Sequence, residues 1–151
     1  MVAPVPSNMR GFVPYVFAKN AEEAVQFYVK AFGGKRGVTL RMKDERIAHA
    51  EIFIGDACIM ISEENPEWGA KGAKTLGGCP MTLTLYLQDV DAAAKQAEAA
   101  GMTVKRKLET HFFGDRMCTL QDPYGYEWCL ATHVEDVAED VMQKRMEELY
   151  G

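Results

Sequence analysis

The chain has 151 residues, 48% of them hydrophobic and 26% charged, with a net charge of −5 and a pI near 5.2. A chain of about this length can bury roughly 68–70% of its unfolded surface, so it needs no disulfide or metal staple. Basic residues occur only in short groups such as Lys105-Arg106-Lys107, which excludes the clustered basic face of a nucleic-acid binder, and no apolar run approaches the roughly 18 residues of a membrane span.

Residues 1–11 read as an extended lead-in, without the charged start and apolar core of a signal peptide. Residues 12–18 read as a strand with Pro14 near its start, which suits an edge position. Asn20 then caps a helix, and Glu23 completes a capping box. Ala24, Phe27, Tyr28, Ala31 and Phe32 fall on one face at the helical period, and Gly33-Gly34 ends the helix. Strands are expected at 36–42, 47–54 and 57–62, the last two joined by the hairpin pair Gly55-Asp56. Residues 63–80 are turn-rich and read as a linker or mobile flap.

The pattern then restarts. Residues 81–87 alternate as a strand, Asp89 caps an alanine-rich helix closed by Gly101, and strands follow at 102–108, 115–121 and 126–132. Asp122-Pro123-Tyr124-Gly125 is a tight turn feeding the last of them. Strand–helix–three strands thus occurs twice, with 69 residues between the caps Asn20 and Asp89. The predicted class is α+β: two βαβββ modules in tandem, at 12–62 and 81–133, forming a curved mixed sheet around a cleft within one structural domain. Residues 134–151 predict a C-terminal helix, with Glu135, Asp136, Glu139 and Asp140 near its start and an apolar stripe through Val137, Val141, Met142 and Leu149. That stripe packs on its own domain or on a partner subunit. Cys58, Cys79, Cys118 and Cys129 form no C-x-x-C pair and read as reduced, buried thiols of a cytosolic protein.

These residues resemble a known family. The duplicated layout, with Asn20-Ala21-Glu22-Glu23-Ala24-Val25-Gln26-Phe27-Tyr28, Phe32-Gly33, Asp89-Val90-Asp91 and Asp122-Pro123-Tyr124-Gly125, resembles the vicinal oxygen chelate superfamily of glyoxalase I, bleomycin-resistance proteins and extradiol dioxygenases. Ile47-Ala48-His49-Ala50-Glu51, Gly114-Asp115-Arg116 and Ala131-Thr132-His133 resemble its PhnB-like branch. The resemblance implies the fold over residues 12–133 but not one chemistry, since one scaffold hosts many. Metal enzymes of this superfamily carry a His or Gln on the first strand and a Glu on the last strand of each half, around a divalent ion acting as Lewis acid.

Counting from the motifs places those positions at Val13 and Thr82 on the first strands, Cys129 on the last strand, and Ile59 or Met60 in the first half. None is a usual ligand for a hard cation, and one thiol does not make a site. No metal or other cofactor is therefore expected, unless a one-residue bulge shifts the register. Strand alternation sets Glu127 on the face of Cys129, Tyr15 and Phe17 on that of Val13, and Thr84 and Tyr86 on that of Thr82. His49 and Glu51 share a face; they read either as an acid/base pair or as a histidine bonded to its neighbouring carboxylate. The stretch around His111 and Phe113 reads as a loop over the cleft mouth, with Arg116 either gripping an anionic group or closing a turn with Asp115. Gly-x-Ser-x-Gly, Walker, dinucleotide and His-Glu-x-x-His signatures are absent.

The expected function is binding of a small organic molecule in an aromatic cleft, in the manner of a bleomycin-resistance protein. The alternative is a glyoxalase-type lyase or dioxygenase with a divalent metal held by His49, Glu51 and Glu127. A third reading is an orphan domain that binds a partner through its tail. The expected assembly is a cytoplasmic homodimer with no nucleic-acid or membrane partner.

Overall fold

The computed structural model describes residues 1–151. The first module contains β1 (Tyr15–Ala18), α1 (Ala21–Phe32), β2 (Lys35–Arg41), β3 (Ile47–Ile54) and β4 (Ala57–Glu63). A 3₁₀ turn at Pro66–Trp68 and a short helix α2 (Ala73–Leu76) lead to the second module. That module contains β5 (Thr82–Tyr86), α3 (Val90–Ala100), β6 (Thr103–Thr110), β7 (Asp115–Gln121) and β8 (Glu127–His133), and α4 (Glu139–Tyr150) closes the chain. The strands form two open four-stranded mixed sheets, ordered β1-β4-β3-β2 and β5-β8-β7-β6, with a parallel pair at the β1 and β5 edges.

Local chemistry explains the boundaries. Asn20 accepts from the Glu23 amide and Asp89 from the Ala92 amide, so both module helices start on side-chain caps. β1 is shorter than the pattern predicts: its ladder opens at the carbonyl of Pro14, which accepts from the Met60 amide, and proline has no N–H with which to continue it. Val13 therefore lies outside the strand. The tail becomes helical only at Glu139, six residues after β8 ends, because the intervening chain is fastened to the β6–β7 loop.

One core serves both modules. Val16, Ile47, Ala50, Ile52 and Ile61 of the first sheet and Leu120, Trp128 and Leu130 of the second are buried with the inner faces of α1 and α3, which pack on each other. Burying these side chains stabilises the fold by about 1.5–3 kcal/mol for each large aliphatic or aromatic one. Asp122 ties the modules together. Its carboxylate accepts from the Tyr28 hydroxyl of α1 at 2.6 Å, from Trp128 Nε1 at 2.9 Å, and from the Tyr124 and Tyr126 amides at 2.9 and 3.0 Å. Burial pushes this carboxyl upward, and the four donors offset part of that. Gly125, at φ 87°, lets the turn close under it.

Candidate functional site

Each sheet has one face on the shared core and one face open. On the open face of the first sheet, β1–β4 pairing sets Tyr15 beside Met60 and Phe17 beside Ser62, and β3–β4 pairing sets Glu51 beside Met60. Adding the 69-residue repeat to Tyr15 and Met60 gives Thr84 and Cys129, which are paired in the second sheet. The counterpart of Cys129 is therefore Met60, and Ile59 faces the core. No irregularity interrupts the β5–β8 or β7–β8 ladders, so no bulge moves Cys129 off its row.

The Tyr15 hydroxyl lies 2.9 Å from Nδ1 of His49. The other ring nitrogen of His49 is 3.8 Å from Glu51, whose carboxylate also accepts from the Val38 amide. Tyr15, His49 and Glu51 thus form one polar line across β1 and β3. At one end of this line a cavity of about 460 Å³ is lined by Tyr15, Phe17, Met42, Ile47 and Trp68, with Arg46, Glu63 and Glu64 at its margin. Glu63 accepts from the Ala21 amide at 2.7 Å and is pushed upward by burial, so it is engaged in holding α1. Trp68 comes from the 3₁₀ turn between the modules and is 84% exposed, hanging over the cavity rather than packing in the core.

The second open face is organised differently. Thr82 and Glu127 are paired, with 3.3 Å between their side-chain oxygens. Cys129 is buried beside Thr84, and burial together with the Asp115 charge pushes its thiol upward, keeping it neutral. Asp115, also buried, accepts from the Tyr86 hydroxyl and pairs with His133 Nδ1 at 2.7 Å. The second ring nitrogen of His133 is 2.9 Å from Asp136. Burial would raise the Asp115 carboxyl, but the Tyr86 and His133 hydrogen bonds outweigh it and hold it below the usual value. The same bond to Asp115, with the one to Asp136, raises His133. Thr84, Tyr86 and His133 line a wider cavity of about 840 Å³ between β5 and the β3–β4 turn, with Arg10 at its rim.

The residues expected to share one cleft therefore fall into separate groups. Tyr15 and Phe17 line the smaller cavity, with His49 and Glu51 beside Tyr15, while Thr84 and Tyr86 line the larger, and the two cavities share no residue. His49, Glu51 and Glu127 do not converge: no group of three His, Cys, Asp or Glu side chains is placed to hold one ion. His111 stacks on Phe113 at 5.2 Å in the tight β6–β7 loop, outside both cavities. Arg116 makes a two-pronged pair with Asp91 of α3, each bond 2.8 Å, which commits its guanidinium within its own module. Trp68 and Met42 were not among the expected site residues, and Asp115, expected only as a turn partner of Arg116, pairs instead with Tyr86 and His133. A lone tryptophan in an otherwise polar, turn-rich segment was the available signal for Trp68.

A model of the glyoxalase/bleomycin resistance protein/dioxygenase superfamily matches residues 12–130. The chain belongs to this superfamily. It is 35% identical over 136 residues to an uncharacterised protein of Mycobacterium bovis, an alignment covering 88% of this chain and 90% of that one. Among solved structures it is similar to TioX from Micromonospora sp. ML1, with TM-score 0.67 and 20% identity over 83% of this chain and all of that one. Protein PA1353 from Pseudomonas aeruginosa gives TM-score 0.66 and 24% identity over 84% of this chain and all of that one. A PhnB protein from Bacillus cereus gives TM-score 0.61 and 16% identity over 82% and 99%. These likenesses establish the superfamily fold, and the glyoxalase-like layout of two βαβββ modules agrees with them. No helix is long and apolar enough to cross a membrane.

Proposed function

We propose that this superfamily member binds a small, flat organic molecule on the open face of its first module, between Trp68 and the Tyr15–Phe17 pair. The observation that carries this reading is the aromatic cavity of about 460 Å³, within the size range of small-molecule sites, with the hydroxyl–imidazole pair Tyr15–His49 at its edge. Aromatic walls supply apolar area and stacking geometry, and the polar pair supplies orientation. The ligand positions of the family's metal enzymes hold Val13, Met60, Thr82 and the neutral thiol Cys129. That donor set does not fit a hard divalent ion, and the proposed binding is metal-free.

Tryptophan fluorescence tests this directly, because Trp68 is exposed whereas Trp128 is 2% exposed in the core. Titrating planar aromatic compounds is expected to change Trp68 emission saturably in the wild type. The change should vanish in Trp68→Phe and weaken in Tyr15→Ala. A response that persists in Trp68→Phe, or no response across a broad panel, sinks the reading. A second reading, proton transfer by His49 with Tyr15 and Glu51, has the 2.9 Å Tyr15–His49 contact in its favour. It predicts turnover of a bound compound that His49→Gln abolishes without loss of binding.

A further inference from the structure

A third cavity lies beside the two described above. It measures about 370 Å³, within the size range of small-molecule sites, and opens where four segments meet: the end of β1, the first turn of α1, the linker between the modules and the β7–β8 turn. Neither module could make it alone. Its linker wall is held in place, because Asn65 and Ala70 exchange two backbone hydrogen bonds, at 2.8 and 3.0 Å, and the Gly72 amide donates to Glu64. Its second wall is held as firmly, because Pro123 and Tyr124 belong to the turn that Asp122 gathers. The Tyr124 ring packs edge-on against Phe27 at 5.8 Å, and burial pushes its phenol upward, so it stays neutral.

The charged side chains around this cavity divide by sign. Both carboxylates already receive donors from the chain. Glu23 accepts from Asn20 Nδ2 at 3.2 Å and from the Tyr124 hydroxyl at 3.4 Å. Glu64 is held below its ordinary value by the Thr75 hydroxyl against the effect of burial, with the Gly72 amide and the Lys19 charge adding smaller shares. The start of α1 is engaged too, since its Ala21 and Glu23 amides donate to Glu63 and to Asn20. The two cations are different. Lys19 and Lys74 border the cavity, are exposed, and have no ion-pair partner, whereas Arg36, Arg41, Arg46 and Arg116 each hold a carboxylate. What remains for a ligand is apolar surface from Pro123 and Tyr124 and two ammonium groups on flexible stems. We infer that this cavity is a second small-molecule site and that it takes an aromatic carboxylate, its ring against Pro123 and Tyr124 and its carboxylate between Lys19 and Lys74. An aromatic ammonium ion is the competing occupant. It would have to displace the donors that Glu23 and Glu64 already hold, and it would sit beside two like charges. The inference does not rest on binding in the first module's aromatic cavity, although Phe17 and Glu64 border both.

The test is a titration of the isotope-labelled full chain with naphthoate, followed by amide chemical shifts, with naphthylmethylammonium as the cationic control. Naphthoate is expected to move the Lys19, Thr75 and Tyr124 amides saturably, and the ammonium ion to bind at least about tenfold more weakly. Lys19→Gln/Lys74→Gln removes both charges at exposed positions and should weaken naphthoate by about tenfold or more, while the rest of its amide spectrum shows that it is folded. Trp68→Phe should leave the naphthoate shifts unchanged, which keeps this result separate from that of the fluorescence experiment. Four results overturn the inference: no saturable shift, shifts confined to the Tyr15 and Trp68 amides, equal binding of the ammonium ion, or a folded lysine variant that binds naphthoate as the wild type does.

Discussion

The β3–β4 turn and the β7–β8 turn stand at the same place in two copies of one module, and they do opposite things. Gly55-Asp56 is a short exposed hairpin whose carboxylate has no partner. Asp122-Pro123-Tyr124-Gly125 turns its carboxylate inward, where it gathers donors from its own turn, from Trp128 and from Tyr28 of the other module. Tyr126, just past that turn, also reaches across, its hydroxyl accepting from the Phe17 amide and donating to the Phe17 carbonyl. The open faces differ in the same sense. The first presents an aromatic cavity, whereas the second spends its Asp115 and His133 on fastening the tail. Duplication preserved the strand order while the second copy took on the joints of the molecule.

The sharpest way to break this comparison is to remove both carboxylates in turn. Asp122→Ala strands the Tyr28 hydroxyl, the Trp128 N–H and two amides in a region closed to water. Each stranded buried donor costs about 1–3 kcal/mol, and partial rescue by rearrangement leaves a loss of roughly 3–5 kcal/mol, read as a lower urea midpoint. Asp56→Ala at the matching turn should stay within about 0.5 kcal/mol of wild type. Equal losses at the two turns would show that the second module is no keystone.

Gly114→Ala comes next. Gly114 has φ 97°, and an added Cβ would collide with the Glu135 carbonyl oxygen that lies over it. Strain in the positive-φ region costs of order 1–3 kcal/mol, and here the tail root can yield. The expected outcome is a smaller loss of global stability than for Asp122→Ala, with selectively faster hydrogen exchange at Val134 and Glu135. The mirror-image test on the first module is Trp68→Ala. Its side chain is largely exposed, so the urea midpoint should move by less than about 0.5 kcal/mol while ligand binding is lost.

The sequence showed what depends on period and on local chemistry. The two caps, the glycine stops, the Asp-Pro-x-Gly turn and the inward-facing apolar positions are each set by a few neighbouring residues, and both sheets follow from them. The register around Ile59 and Met60 was open because Gly55 opens a two-residue hairpin whereas Gly125 ends a four-residue turn: the 69-residue repeat sets Asp56, not Gly55, at the place of Gly125, and the paired strands put Met60 on the open face. The candidate site was legible only in part. Tyr15, Phe17, His49 and Glu51 share a face by strand parity alone. Trp68 does not, because a loop has no period. Arg116 shows the opposite problem: its residue type suits anion binding, but Asp91 claims it, and that partner lies 25 positions away in the chain.

The smallest expected effect concerns pH and the tail of the second module. Both ring nitrogens of His133 face carboxylates, Asp115 on one side and Asp136 on the other, an arrangement satisfied only when the ring carries both protons. The histidine is raised above its ordinary 6.5 by these two bonds, and Asp115 is lowered below its ordinary 3.8. A raised histidine contributes its stability fully below 6.5 and loses it as pH climbs through the higher folded-state value. A lowered carboxylate contributes above 3.8 and loses its share as pH falls through the lower folded-state value. The tether is therefore strongest between about 3.8 and 6.5, where both groups are ionised. Hydrogen exchange at the Val134 and Glu135 amides, corrected for intrinsic rates, should show more protection at pH 6 than at pH 9, and His133→Ala should flatten that difference while leaving the first module unchanged. Because His133 is half exposed, solvent screens the effect, and it should appear in local exchange well before it moves the global midpoint.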